Sequence, residues 1–320
     1  MTAAAIAPLV IGLVNNMQDA GLRTAERQFG ELLSAAARAE GASLELRFYA
    51  LPDVPRSAAS QAHIRDRYRD VAALWSEPVD GLIVTGAEPC SMALEDEPYW
   101  PSLEKLVDWA AGHTNSTLWS CLAAHAAVLR TDGIERRAFG DKLSGVLNCV
   151  KTMDHPLTQG LPARWRVPHS RSNDVPKDAL LAKGYSILAE TEEGGADLFV
   201  KERNSLFLFV QGHPEYDPGA LAREYRRDVG RFLAGERDDY PEMPSFYFDA
   251  ASASSFAAFR RRAEGHRDAR LIDDFPAGKT DESAPPSWHP PALCLYRNWL
   301  GYLARRRSGT VAARRALAGL

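Results

Sequence analysis

Short apolar segments alternate with longer amphipathic stretches through the first 120 residues, and this alternation limits the possible folds more than any other feature. The strand-like segments are Pro8–Val14, Leu44–Tyr49, Val79–Val84 and Thr117–Trp119. The helix-like stretches between them are Leu22–Ala39, the second half of Arg56–Trp75, and Tyr99–Ala111. Strands and helices that alternate at this spacing predict an α/β fold with a doubly wound, mostly parallel sheet.

The carboxyl edge of such a sheet is where ligands bind. The loops that follow Val14, Val84 and Ser120 all lie on that predicted edge. Reactive side chains on these loops are therefore the first candidates for a functional site.

The segment Ser116–Leu129, with the sequence STLWSCLAAHAAVL, joins the fourth strand directly to a helix of small residues. Cys121 stands at the turn, where the helix dipole and the free backbone N–H groups favour a thiolate over a thiol. A buried structural cysteine is the alternative, because free cysteine is among the most buried residue types. A partner base is needed to decide between the two.

A second reactive loop, GHPE, follows the strand-like segment Ser205–Val210 and precedes a predicted helix. Its His213 is a suitable general base, because the imidazole pKa lies near neutrality. The carboxylate of Glu215, two residues on, can hydrogen-bond the ring nitrogen that faces away from a nucleophile. Cys121, His213 and Glu215 together have the chemistry of a nucleophile, a base and an orienting acid.

Composition argues against several classes of protein. A net charge of −4 gives no overall attraction for nucleic acid, and no apolar run reaches the roughly 18 residues of a membrane span. Met1–Ile6 lacks the basic region of a secretion signal. The four cysteines are widely spaced, which is not typical of a disulfide scaffold or a structural zinc site. We expect a cytoplasmic protein without a bound metal, a nucleic-acid partner or a membrane association.

Three regions are predicted along the chain. Residues 1–236 form the first domain, whose later part contains shorter strands at Lys142–Lys151 and Leu161–Ser170. Residues 237–286 are rich in Ala, Ser, Arg, Asp and Pro, a composition compatible with a partly disordered surface insertion. Residues 287–320 contain an amphipathic segment, Leu293–Arg305, which we expect to form a helix that packs back on the first domain.

Cys121 after a strand, followed downstream by GHPE, resembles the class I glutamine amidotransferase-like fold, and the ordered motifs more narrowly resemble the homoserine O-acyltransferase family. The matching stretches are DGLIVTGA (Asp80–Ala87), PYWPSLEKLVDWA (Pro98–Ala110), STLWSCLAAHAAVL, KLSGV (Lys142–Val146), VPHSR (Val167–Arg171), ILAETEEGGADLF (Ile187–Phe199), GHPEYD (Gly212–Asp217) and EYRRDV (Glu224–Val229). The resemblance implies a flavodoxin-like, mostly parallel sheet with a C-terminal helical extension, and a homodimer.

The resemblance also implies a reaction. An acyl group would pass from acyl-CoA, through a thioester on Cys121, to the hydroxyl of L-homoserine, an early step of methionine biosynthesis. His213 would be the proton acceptor and Glu215 its orienting acid. Acyl-CoA would be a co-substrate, and no cofactor would be bound permanently.

Three further residues, Lys142, Ser170 and Arg227, fall where this family contacts its amino-acid substrate. A carboxylate is well matched by the bidentate fork of Arg227, and Lys142 and Ser170 offer further hydrogen-bond donors. For each residue, an ordinary salt bridge or loop hydrogen bond is the alternative interpretation.

The loop after the third strand, Glu88-Pro89-Cys90-Ser91, departs from the family pattern. This loop generally supplies one N–H group to the oxyanion hole, and the residue after the nucleophile, here Leu122, supplies the other. An ungapped alignment puts Pro89 at the donor position, and proline has no N–H. Either Glu88 or Cys90 donates instead, or the loop is reshaped.

The same loop bears on the choice of acyl donor. In the family, a small residue just after the donor position goes with succinyl and a glutamate with acetyl. Cys90 stands there and favours succinyl-CoA over acetyl-CoA, because it carries no carboxylate that would repel the succinyl group. Glu88, two residues away, would act in the opposite sense.

Other readings of the same residues remain open. A glutaminase or cysteine-hydrolase module of amidotransferase type would have glycines in the pattern G-x-C-x-G, where this chain has Trp119 and Ala123. A non-catalytic relative would not need the intact cysteine, histidine and glutamate. Acylation of a hydroxy amino acid related to homoserine is a further alternative.

Overall fold

The computed structural model describes residues 7–278 and 287–318, with side chains up to residue 309. The described residues form one sheet of nine strands in the order β2-β1-β3-β4-β9-β8-β7-β5-β6. The strands are β1 (Leu9–Val14), β2 (Leu44–Tyr49), β3 (Gly81–Val84), β4 (Ser116–Ser120), β5 (Arg137–Lys151), β6 (Arg164–Asp174), β7 (Ser186–Thr191), β8 (Gly195–Glu202) and β9 (Leu206–Val210). The predictions for segments 1–6, 279–286 and 319–320 lie outside the described residues.

Eight α-helices accompany the strands in the described part of the chain. They are α1 (Asp19–Ala39), α2 (Ala58–Arg67), α3 (Trp100–His113), α4 (Leu122–Asp132), α5 (Lys177–Ala182), α6 (Ala220–Leu233), α7 (Ala250–Gly265) and α8 (His289–Ala318). The helix predicted directly after the GHPE loop is present as α6.

The strands β2, β1, β3, β4 and β9 are parallel to one another. Every residue of β3, β4 and β9 is buried, as expected for parallel strands covered on both faces. Their carboxyl ends meet at one edge, so the loops that follow β3, β4 and β9 are neighbours. The predicted α/β fold class is confirmed.

The other half of the sheet is antiparallel and was less well predicted. β5 begins at Arg137 rather than at Lys142, and β6 spans Arg164–Asp174 rather than Leu161–Ser170, because the two strands pair with each other along most of their length. Their pairing is interrupted by an irregularity between Ala138 and Leu143, and an apolar pattern does not reveal strand residues on either side of such a bulge.

The helix predicted in the second half of Arg56–Trp75 is misplaced. The α-helix in this segment, α2, begins directly after Ser57, whose Oγ accepts the N–H of Ser60 and so caps the first turn. The second half contains only a 3₁₀ helix, Val71–Trp75, capped by Asp70. Ser57 is a typical N-cap residue and marks the start of α2, which the pattern of charged and apolar residues does not indicate.

Residues 237–278 pack against α6 through aromatic side chains. Phe256 and Phe259 of α7 are buried against Tyr225 and Phe232 of α6. Ahead of α7, Ser245 pairs with Gly145 in β5, where an added Cβ would come within 2.5 Å of the Ser245 carbonyl oxygen. The glycine of the KLSGV motif therefore allows this segment to lie directly against β5.

α8 begins before the predicted amphipathic segment and extends beyond it. Its side chains Tyr296, Trp299 and Leu303 are fully buried against α1 and the sheet. The Trp299 Nε1–H donates to Ser116 Oγ at 3.0 Å, which ties α8 to the start of β4.

Candidate active site

Cys121 occupies a sharp turn between β4 and α4, as the sequence predicted. Its φ of 52° and ψ of −116° lie in a region that non-glycine residues rarely adopt, at a cost of about 1–3 kcal/mol. The Cys121 N–H donates to the carbonyl of Val210 at 2.8 Å, so the end of β9 holds the turn in place. The side chain consequently stands at the first turn of α4 and is half-buried.

His213 lies on the neighbouring loop and is oriented from two sides. Its Nδ1 is 2.8 Å from Glu215 Oε1, and its backbone N–H donates to the Pro168 carbonyl at 2.7 Å. The Tyr216 ring stacks on the imidazole with ring centroids 4.2 Å apart. The structure thus brings Cys121, His213 and Glu215 together.

The charges around His213 determine its protonation. Burial alone would lower the pKa of His213, but the neighbouring charges and hydrogen bonds of Glu215 and Cys121 outweigh burial and raise this pKa well above its ordinary value. A proton is therefore stabilised on the ring, next to the cysteine sulfur. This arrangement suits a thiolate–imidazolium pair.

The loop that carries His213 is held from below by a buried acid. Asp197 Oδ1 accepts the Gly212 N–H at 2.8 Å, and the Asp197 carbonyl accepts the Gln211 N–H at 2.9 Å. Burial raises the pKa of Asp197, although the Gly212 N–H and the Arg171 charge act in the opposite direction. Sequence reasoning missed this role of Asp197. The residue lies in the ILAETEEGGADLF motif, where its distance along the chain from Cys121 and His213 gives no sign of a link to them.

The segment that leads into α8 holds the same loop from the other side. Trp288 Nε1–H donates to the Tyr216 carbonyl at 2.8 Å, and His289 Nε2 lies 3.1 Å from the same oxygen. Tyr296 of α8 is fully buried, and the charge of Glu215 acts on its hydroxyl. The C-terminal helix is therefore part of the support for the histidine loop.

Lys142, Ser170 and Arg227 meet around two carboxylates of α6. Lys142 Nζ lies 2.7 Å from Asp228 Oδ2 and 3.7 Å from Glu224 Oε2. Ser170 Oγ–H donates to Glu224, and Arg227 Nε–H donates to Asp228 Oδ1 at 2.9 Å. The three predicted residues thus lie in one cluster, in which the positive charges of Lys142 and Arg227 are paired with the carboxylates of Glu224 and Asp228.

Glu224 and Tyr216 connect this cluster to the triad, that is, to Cys121, His213 and Glu215. Sequence reasoning missed both of these connecting residues. The Tyr216 hydroxyl donates to Glu224 Oε1 at 2.5 Å, while its ring stacks on His213. Glu224 precedes Arg227 and Asp228 by one turn of α6, so helical spacing could have identified it. From the EYRRDV motif the prediction selected only Arg227.

The loop after β3 starts directly against the residue that follows Cys121. An added Cβ on Gly86 would lie 3.0 Å from the Leu122 nitrogen and 2.8 Å from the Leu122 Cβ. Only glycine allows this approach. The loop is therefore in the predicted position beside the cysteine.

Side chains already engage most N–H groups of this loop. The Glu88 N–H donates to Gln18 Oε1 at 3.2 Å, and the N–H groups of Cys90 and Ser91 both donate to Glu97 Oε1 at 2.8 Å. The side chain of Cys90 is exposed, with its sulfur 3.6 Å from Gln18 Nε2. A second oxyanion donor from Glu88 or Cys90 thus requires one of these hydrogen bonds to open.

In the described residues, no group of three or more histidine, cysteine or acidic side chains is arranged to bind a metal ion. No helix in the same part of the chain has both the length and the apolar character to cross a membrane.

Comparison with known proteins identifies the family. A family model described as homoserine O-succinyltransferase matches residues 2–309. The chain belongs to the homoserine O-succinyltransferase family. The predicted family, and the transferase class that follows from it, are confirmed.

Two relatives illustrate the extent of the similarity. A homoserine O-succinyltransferase of Rhodopseudomonas palustris is 48% identical over 301 residues, which cover 94% of this chain and 90% of the relative. One from Thiothrix nivea is 38% identical over 298 residues, covering 92% and 82% of the two chains. Homologues in this family thus align with nearly the whole chain.

The fold is also found in a solved glutamine amidotransferase from Methylobacillus flagellatus. That structure has a TM-score of 0.51 and 14% sequence identity, and the alignment covers 92% of this chain and 94% of that one. The predicted class I glutamine amidotransferase-type fold is confirmed.

Proposed function

We propose that this chain transfers a succinyl group from succinyl-CoA to the hydroxyl of L-homoserine through a thioester on Cys121. One observation carries the proposal. Cys121 stands on a strained turn beside His213, which is itself paired with Glu215, in a member of the homoserine O-succinyltransferase family.

The first half-reaction acylates the enzyme. The Cys121 sulfur attacks the thioester carbonyl of acyl-CoA, and the tetrahedral intermediate collapses with loss of the CoA sulfur. His213 gives its proton to that sulfur, so CoA leaves as the thiol. Leu122 is the first residue of α4, so its N–H has no acceptor within the helix and is available to the oxyanion.

The second half-reaction releases the acyl group to the acceptor. Neutral His213 takes the proton of the homoserine hydroxyl as its oxygen attacks the thioester carbonyl. The bond between carbon and the Cys121 sulfur breaks, and the thiolate–imidazolium pair is restored. Glu215 stabilises the protonated ring in both half-reactions and keeps Nδ1 as the donor.

The charged cluster on α6 matches the two charges of an amino acid. Glu224 offers its carboxylate to the ammonium group, and Arg227 and Lys142 offer donors to the carboxylate. Arg227 uses Nε and Nη2 on Asp228, so Nη1 remains for the substrate. Ser170 and Tyr216 hold Glu224 in place through hydrogen bonds to its two oxygens.

Glu88 is the easier source of a second oxyanion donor. Its N–H bond to Gln18 is longer than the bonds of Cys90 and Ser91 to Glu97. Gln18 Nε2 donates in turn to the Glu88 carbonyl, and Gln18 is only half-buried, whereas Glu97 is buried. Binding of acyl-CoA would therefore displace Gln18 at lower cost than Glu97.

The test is a product assay with the purified chain. We expect O-succinylhomoserine and free CoA from succinyl-CoA plus homoserine, and no ammonia from glutamine. Cys121→Ala should abolish the product, whereas Cys294→Ser, a matched control at another half-buried cysteine, should retain it. Glutamine hydrolysis without acyl transfer would contradict the proposal and favour the hydrolase alternative.

A further inference from the structure

An ion pair links the loop after β3 to α6. The carboxylate of Glu88 is bound by both terminal nitrogens of Arg231, with Arg231 Nη2 3.0 Å from Glu88 Oε2. The hydrogen bond from Arg231 lowers the pKa of Glu88, whose burial acts in the opposite direction. Glu88 is therefore ionised, and its charge is directly paired.

This pair lies between the two halves of the candidate active site. Glu88 is two residues beyond Gly86, which touches the backbone of Leu122. Arg231 is one helical turn beyond Arg227, and the charges of Arg227 and Asp228 act on Glu88 as well. The ion pair therefore joins the loop that begins against Leu122, the residue after Cys121, to the part of α6 that carries Arg227 and Asp228.

The charge of Glu88 presents a problem for a succinyl donor. A bare carboxylate on this loop would repel the terminal carboxylate of a succinyl group. The bidentate contact with Arg231 uses one N–H on each terminal nitrogen, so Nε–H and a second hydrogen on each terminal nitrogen remain for another acceptor. The side chain of Arg231 is 37% exposed, which leaves room for that acceptor.

Building on the proposed function, we propose that Arg231 determines acyl-donor specificity: it neutralises Glu88 and binds the terminal carboxylate of a dicarboxylic acyl group. Acyl groups that end in a carboxylate are therefore selected by a cation on α6. The size of residue 90 alone does not decide the donor.

An ordinary surface salt bridge would behave differently. Such a pair contributes little to stability, and its loss would affect both acyl donors alike. Only a residue that contacts the acyl group changes the ratio of kcat/KM for succinyl-CoA to kcat/KM for acetyl-CoA. That ratio is the decisive readout.

The experiment compares both donors in the full chain with homoserine as acceptor. Arg231→Gln should lower kcat/KM for succinyl-CoA by roughly 10- to 100-fold and change the value for acetyl-CoA by about twofold or less. Arg231→Lys should restore part of the preference, since it keeps the charge without the fork. The control is Arg226→Gln, which removes a charge from the same helix at a site where the guanidinium donates to the Ile272 carbonyl and lies over the Phe275 ring.

A second variant tests the role of Glu88. Glu88→Gln should raise the preference for succinyl-CoA, because it removes the repulsive charge and frees Arg231. An unchanged donor ratio in Arg231→Gln, or an equal loss with both donors, would overturn the proposal while acyl transfer itself stands. Absence of O-acylhomoserine with either donor in the unsubstituted chain would instead overturn the proposed function.

Discussion

The loop around His213 and the loop from Glu88 to Ser91 border the same site but are built in different ways. The first is tied by backbone hydrogen bonds to Pro168 and by a buried aspartate, Asp197. The second starts with a tight glycine contact and then relies on side chains: the buried Glu97 binds the Cys90 and Ser91 N–H groups, and the partly exposed Gln18 and Arg231 bind Glu88.

We infer that the loop around His213 is built for the chemical step, and the loop from Glu88 to Ser91 is built for selecting the acyl donor. Buried, multiply bonded groups keep the triad in one geometry, which proton transfer between Cys121 and His213 requires. Exposed ion pairs are weaker and are exchanged at little cost to the fold. We therefore expect substitutions at the first loop to abolish turnover, and substitutions at the second to change the preferred donor.

The largest effect is expected from His213→Asn. Asparagine can occupy the loop but cannot take a proton at the pH of the reaction, so both half-reactions lose their acid and base. We predict a fall in kcat of about 10³-fold or more, measured by release of CoA thiol. A folded His213→Asn variant with near-normal turnover would contradict the role of the histidine loop in the chemistry.

Glu215→Gln should have the next largest effect. Its amide can present N–H to Nδ1 and so favour the tautomer that cannot accept a proton at Nε2, and it removes the charge that raises the pKa of His213. We predict a loss in kcat of roughly 10²-fold, with the thermal unfolding midpoint little changed. Unaltered kcat would mean that another acid orients the histidine.

Cys90→Glu tests whether the loop after β3 determines the preferred acyl donor. The new carboxylate would lie beside Gln18 Nε2 and close to Glu88, and it would repel a succinyl group. Two charges about 4 Å apart at an effective dielectric of about 20 repel by roughly 4 kcal/mol before solvent screening. We predict that the ratio of kcat/KM for succinyl-CoA to that for acetyl-CoA falls at least tenfold; a wild-type chain that already prefers acetyl-CoA would contradict this.

The smallest effect is expected at Asp217, at the end of the histidine loop. Burial would raise the pKa of Asp217, but the hydrogen bonds from Arg223 and Arg27 outweigh it and lower this pKa. Its contribution to stability is therefore present above the unfolded pKa of about 4 and is lost as the pH falls through the folded value.

Asp217→Asn should lower the free energy of unfolding by about 1 kcal/mol at neutral pH and leave the donor ratio unchanged. The difference from the wild type should shrink as the pH falls below about 4, as measured by urea denaturation at several pH values. A difference that grows in acid would refute the assignment of the stabilising ion pairs.

The parallel half of the fold and the proximity of Cys121, His213 and Glu215 could be predicted from sequence, because both leave local signals. Buried strands are continuous apolar runs, and the turn at Cys121 changes abruptly from β-prone to small helix-forming residues. Asp197 leaves no such signal, and Glu224 is indicated only by its helical spacing from Arg227. Their roles depend on strand pairing and on a neighbouring helix, which bring together residues far apart in the chain.

The loop after β3 was predicted in position but not in its contacts. The absence of an N–H at Pro89 follows from the residue type alone. The engagement of its neighbours by Gln18 and Glu97, and the pairing of Glu88 with Arg231, depend on tertiary structure. The sequence therefore raised the question of the second oxyanion donor without identifying the side chains that compete for it.

Cys121 is the residue proposed to carry the acyl group, and trapping the acyl-enzyme tests this role most directly. The chain is incubated with succinyl-CoA in the absence of homoserine, and its intact mass and peptide map are measured. We predict one added succinyl group on Cys121, its loss on addition of homoserine, and no addition in Cys121→Ala. A succinyl group on Cys90, or full turnover by Cys121→Ala, would contradict it.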